Sequence, residues 1–156
     1  MNSMEINIFK LLAGSILKSE FESELYQEQI VTKINSDEFI EDLININFRA
    51  NDWKTKLEAI ALEYFGKDYF INQLIKYNCL KIIESFDKEV IFRINSNLAR
   101  KYAAYDYENE LLAVFYCLED ELGYTREGFG HRKEELIAKE IKSAARMFLN
   151  QLQNQV

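Results

Sequence analysis

Carboxylates are the only chemically competent side chains that this chain supplies in groups. Glu119-Asp120-Glu121 and the pair Glu108/Glu110 are dense examples, and two carboxylates held across a cleft can act as general acid and general base. Adjacent acids on a helix radiate about 100° apart, and no motif here aims two of them at one substrate. The other routes to catalysis fail on residue counts. His131 is the only histidine and Gly128 stands three residues before it, so neither a His₂ or His₃ zinc site nor a Glu-x-x-His di-iron pair can form within the chain. A nucleophile–base–acid triad would need that same histidine, and no serine lies in a G-x-S-x-G elbow. Gly128-Phe129-Gly130 has no third glycine and no strand before it, so it reads as a hinge rather than a phosphate cradle. The acids do not follow the D-x-[DN]-x-[DN]-G spacing of a calcium loop. No catalysis, bound metal or cofactor is expected.

What the acids do show is segregation. Residues 19–42 carry eight acids against one base, Lys33, and residues 104–127 carry seven against one, Arg126. Together these stretches hold 15 of 26 acids and 2 of 19 bases, so a net charge of −7 conceals a remainder that is positive. Acids interleaved with Tyr26, Tyr105, Tyr107 and Tyr124 suggest a face for a basic partner. The sequence favours Tyr105, Asp106, Tyr107, Glu108, Glu110, Glu119, Asp120 and Glu121 as that face, with residues 20–42 as the alternative. Three acids near a helix C-terminus oppose the helix dipole. They are therefore either compensated by bases of the last helix or kept for a partner. An isoelectric point near 4.9 argues against direct nucleic-acid binding.

Helices must position these groups. Proline is absent and glycine occurs five times, too few turn residues for a β-sandwich or barrel of 156 residues. Apolar positions recur at threes and fours along Ile6–Leu17, Trp53–Phe65, Phe70–Ile75, Val90–Tyr102, Leu111–Leu122 and Leu136–Leu152. Ser36-Asp37-Glu38, Asn51 or Asp52, Asp68, Asp87 and Asp106 are candidate helix starts, and Gly66 and Gly123 candidate exits. Residues 123–130, with three glycines, are the expected loop before a last helix from about His131, whose polar face carries Arg132, Lys133, Lys139, Lys142 and Arg146. Two runs, Lys88–Ile94 and Leu43–Phe48, are also β-rich, and helix is favoured for both. The pattern predicts an all-α fold of seven to eight helices over 1–156, one domain formed as an irregular bundle or short helical array. Its expected core includes Trp53, Leu57, Tyr64, Leu98, Phe115, Leu118, Ile141 and Phe148, and both Cys79 and Cys117 are expected to be buried.

Asn51-Asp52-Trp53-Lys54-Thr55-Lys56-Leu57-Glu58-Ala59 resembles the opening helix of a HEAT-type repeat. Tyr105-Asp106-Tyr107, Leu111-Leu112-Ala113 and Leu118-Glu119-Asp120-Glu121-Leu122-Gly123 resemble a later helix of small helical-repeat proteins. Such proteins occur among the immunity proteins of bacterial polymorphic-toxin systems, and the resemblance covers residues 50–66 and 105–123. It implies a non-enzymatic inhibitor of a basic toxin domain and supplies no catalytic residue. An adaptor or secretion chaperone using apolar helix faces, or a phage-type inhibitor of a nucleic-acid enzyme, are the alternatives. Leu11-Leu12-Ala13-Gly14 is followed by Ser15 where a lipobox needs cysteine, and no apolar run approaches the roughly 18 residues of a membrane span. A cytoplasmic protein is expected, monomeric or homodimeric, with no membrane partner.

Overall fold

The computed structural model describes residues 3–27, 30, 37–105 and 110–154. The fold is all-α. Among the described residues there are eight helices and no strand: α1 Ser3–Leu12, α2 Lys18–Leu25, α3 Glu38–Ile44, α4 Trp53–Phe65, α5 Lys67–Glu84, α6 Lys88–Ala104, α7 Glu110–Arg126 and α8 Glu134–Asn154. None of the described helices is long and apolar enough to cross a membrane. The chain divides into two compact units, Met1–Tyr77 and Asn78–Val156, with the boundary inside α5.

In the first unit α1 packs on α2 and α4, and α3 packs on α4. Its centre is aromatic. Phe9 is fully buried and lies 5.7 Å from Phe65, 5.8 Å from Phe70 and 6.3 Å from both Tyr69 and Tyr77, ring centroid to centroid. Offset and tilted ring pairs at such distances are favourable beyond the area they bury. Gly66 makes this cluster possible by separating α4 from α5 with a single residue. Its φ of 78° lies where a side chain would be strained, and its N–H still bonds Leu62 O at 3.0 Å. Two residues expected in the core are not fully enclosed. Trp53 is half-buried, with Phe48 and the Lys18 ammonium beside its ring. Tyr64 is exposed because its hydroxyl, unlike a leucine tip, is directed to the carboxylate of Asp42.

In the second unit α6, α7 and α8 pack pairwise around Ile91, Phe92, Leu98, Leu112, Phe115, Leu122, Ile137, Ile141 and Phe148. The β-rich run Lys88–Ile94 is helical. Asp87 caps it by accepting from the Glu89 N–H at 2.9 Å, and Ile91, Ile94, Asn95, Leu98 and Ala99 continue one buried stripe. The other run, Leu43–Phe48, ends α3 and turns away.

The end of α7 differs from expectation. The helix runs through Gly123 to Arg126, since one glycine with open space around it lowers helix stability without ending the helix. The exit lies at Gly128, whose φ is 81°, and the N–H groups of Phe129 and Gly130 both return to Tyr124 O. Consequently α8 starts at Glu134, and His131 is an exposed loop residue before it. Cys79 is buried as expected, but Cys117 is exposed, because it lies on the face of α7 opposite Phe115 and Leu118.

Candidate functional site

The acids of the second segment are distributed rather than gathered. Tyr105 is the half-buried C-cap of α6, and Asp106, Tyr107 and Glu108 lie outside the described residues. Glu110 opens α7 and is exposed. Glu119, Asp120 and Glu121 point three ways, as successive helical positions must. Glu119 accepts a hydrogen bond at 3.0 Å from Nδ2 of Asn95, a fully buried side chain that also donates to Phe115 O at 3.1 Å. Asp120 is exposed and has no ion pair among the described residues. Glu121 receives Nη1 of Arg132 on both oxygens, at 2.7 and 2.8 Å, while Nη2 of Arg132 bonds Glu140. Those two carboxylates hold the Arg132 guanidinium well above its usual range, Glu121 first.

A second network crosses the same unit. Arg126 bonds Glu134 at 2.8 Å and Glu89 at 3.1 Å with its guanidinium 5.1 Å from the Phe92 ring centre, and Lys88 bonds Glu134 at 3.1 Å. The hydrogen bonds from Arg126 and then Lys88 hold the Glu134 carboxyl below its ordinary range. Within the unit, therefore, Glu121 of α7 is matched by Arg132, Glu119 is held by a buried amide, and Arg126 is matched by Glu89 and Glu134.

The first unit arranges its charge differently. Glu20 accepts from the Leu17 N–H at 2.6 Å and Glu24 accepts from Asn7 of α1, so two acids of α2 are engaged within the unit. Asp37, Glu38 and Glu41, at the start of α3, are exposed and form no ion pair among the described residues. Asp42 accepts from the Tyr64 hydroxyl at 3.2 Å. Desolvation, that hydrogen bond and the charges of Asp42, Glu38 and Glu63 push the Tyr64 hydroxyl up to about 12. On the adjoining helix the Tyr69 hydroxyl donates to Glu5 at 2.5 Å, and burial followed by that bond raises it as well. Glu5, Tyr64, Phe65 and Tyr69 line an open groove of roughly 520 Å³. Phe39 stands behind it, 4.8 Å from the Tyr64 ring and 5.4 Å from Phe65.

These groove residues are absent from the expected site. Tyrosine beside acid is the signal that marks residues 105–108, and Glu63-Tyr64 carries the same signal in α4. Glu5 carries none, since its partner lies 64 residues away.

The arrangement offers hydrogen-bond acceptors and ring faces. His131 forms no hydrogen bond with another described residue, and no group of three or more His, Cys, Asp or Glu among them could hold a metal ion. A second, apolar groove of roughly 450 Å³ runs between α7 and α8, lined by Val114, Cys117, Ala144 and Met147. Compared with protein-family models, with curated proteins and with solved structures, the chain matches none.

Proposed function

We propose that the protein is a non-enzymatic inhibitor that neutralises a basic partner, in the manner of the immunity proteins of bacterial toxin systems, and that it works in the cytoplasm. The observation that carries this reading is the run of exposed carboxylates at Asp37, Glu38 and Glu41, unmatched by any base among the described residues and adjoining exposed tyrosine. A toxin that handles nucleic acid is basic because it binds phosphates, so an acidic surface can occupy the same face. Complementary charge raises the association rate and selects the correct partner. The interface expected from the sequence, Tyr105–Glu121, is less well supported, because Glu119 and Glu121 already serve the α6–α8 packing.

The test is co-expression with the product of the adjacent gene in a host that this product poisons, with the binding rate measured at low and high salt. Restored growth and an association rate that falls with salt are expected. No protection and no binding would remove the inhibitor reading. The adaptor or chaperone reading is favoured by one observation, the groove at Val114 and Met147, which are 47% and 61% exposed. It requires partner binding that is indifferent to salt and is lost in Met147→Asp.

A further inference from the structure

We propose that the groove bounded by Glu5, Tyr64, Phe65 and Tyr69 receives an arginine side chain from a basic segment of a partner protein. This rests on the inhibitor reading above and specifies where the partner is held.

The chemistry of the lining favours that occupant. Tyr64 and Tyr69 are 38% and 36% exposed, so each keeps about a third of its surface open beside the groove. A cation over a ring face is attracted by the negative face of the ring, and a planar guanidinium can stack there while its edge reaches carboxylates. Glu5, in the groove lining, and Asp42, held at the Tyr64 hydroxyl, are the carboxylates beside the two tyrosines. Each accepts one tyrosine hydroxyl hydrogen bond, which occupies one acceptor site of about four per carboxylate and leaves the rest for a donor from outside. No lysine or arginine among the described residues pairs with Glu5, Glu38 or Asp42. The charge of Glu5 in the groove and of Asp42 and Glu38 near Tyr64 is therefore not neutralised by a base among the described residues, unlike that of Glu121 in the other unit.

The tyrosine hydroxyls also hold the acids in place. Both are raised well above neutral pH, so they remain protonated donors to Glu5 and Asp42 under ordinary conditions. Phe9, Phe39 and Phe65 back the rings and leave them little freedom to turn. A lysine ammonium could reach the same acids, but it would forgo the stacking and the forked geometry.

The experiment uses the full chain and three short peptides, carrying two arginines, two lysines or only glycine and serine. Tyrosine ring resonances are followed by NMR. The arginine peptide should shift the Tyr64 and Tyr69 rings saturably, the lysine peptide more weakly and the neutral peptide not at all. The double variant Glu5→Gln/Asp42→Asn, with Phe9 resonances confirming an intact core, should weaken arginine-peptide binding about fivefold or more. The proposal is overturned if the arginine peptide leaves both rings unmoved. It is also overturned if the variant binds as tightly as the parent, or if lysine binds as well as arginine. The inhibitor reading is judged separately by the growth assay. Peptide binding without protection would retain the groove and remove the inhibitor, whereas protection unchanged by the double variant would do the reverse.

Discussion

Nη1 of Arg132 reaches both carboxylate oxygens of Glu121, across eleven residues of sequence and the whole glycine loop. The contact ties the loop before α8 to the later half of α7, and Glu140 on α8 completes it from the other side. An acid that would face an unfavourable helix C-terminus had it ended the helix thus becomes a tether between elements. Compensation by neighbouring bases explains its presence without a partner.

Reversing that charge tests the tether. Glu121→Lys leaves Arg132 beside a second cation, so the melting temperature should fall, and fall less in high salt, where the repulsion is screened. Arg132→Glu in the same chain should restore part of the loss. Circular dichroism melts of the single and double variants measure both effects. Equal melting temperatures for parent and Glu121→Lys would show that the contact does not stabilise the unit.

Two glycines of the same segment should respond with opposite sign. A Cβ on Gly130 would stand 2.6 Å from Thr125 Oγ1 and 2.8 Å from Thr125 Cα, so Gly130→Ala must push the loop off α7. A cost of about 1–3 kcal/mol is expected, the usual range for overpacking. Gly123 lies inside α7, and a methyl group added there would meet nothing within 4 Å, so Gly123→Ala should stabilise by about 0.5–1 kcal/mol. Urea unfolding of each variant gives the two values.

The cysteines should separate by reactivity. Burial pushes the Cys79 thiol up to about 12, whereas Cys117 is exposed in the groove between α7 and α8. Native protein in mildly alkaline buffer should therefore react quickly with one equivalent of a thiol reagent, at Cys117, and with a second only after denaturation. Mass spectrometry of the labelled peptides identifies the site, and rapid native labelling of Cys79 would contradict its burial.

Acid should weaken the second unit. The carboxyls of Glu134 and Glu135 are held below their ordinary range, Glu134 chiefly by Arg126 and Glu135 chiefly by its own backbone N–H. A carboxyl with a lowered folded-state pKa contributes stability that is present above its unfolded pKa and is lost as pH falls through the folded value. The urea midpoint should therefore drop as pH is lowered through and below the usual carboxylate range. Glu134→Gln should flatten that dependence, and an unchanged slope in the variant would show that the Arg126–Glu134–Lys88 network does not contribute it.

Local patterns carried much of the helical architecture. The threefold and fourfold spacing of apolar residues, the absence of proline and the cap at Asp87 are properties of short windows, and they were enough to place α6 despite its β-rich opening. Gly66 was legible for the same reason, because a helix exit needs a particular backbone conformation at one residue. By sequence Gly123 is the expected exit and Gly128 part of the loop after it. Only the packing of Gly130 against Thr125 and the turn back to Tyr124 O selected the later exit. The charge of each segment could be counted along the chain, but not which acids were already engaged. Glu121 is matched by Arg132, eleven residues on, and Glu5 meets Tyr69 64 residues on. Coulombic and hydrogen-bonding forces act over a few ångströms in space and do not depend on separation along the chain. Composition therefore determined that the protein has an acidic surface, and tertiary structure decided which carboxylates remain open to a partner.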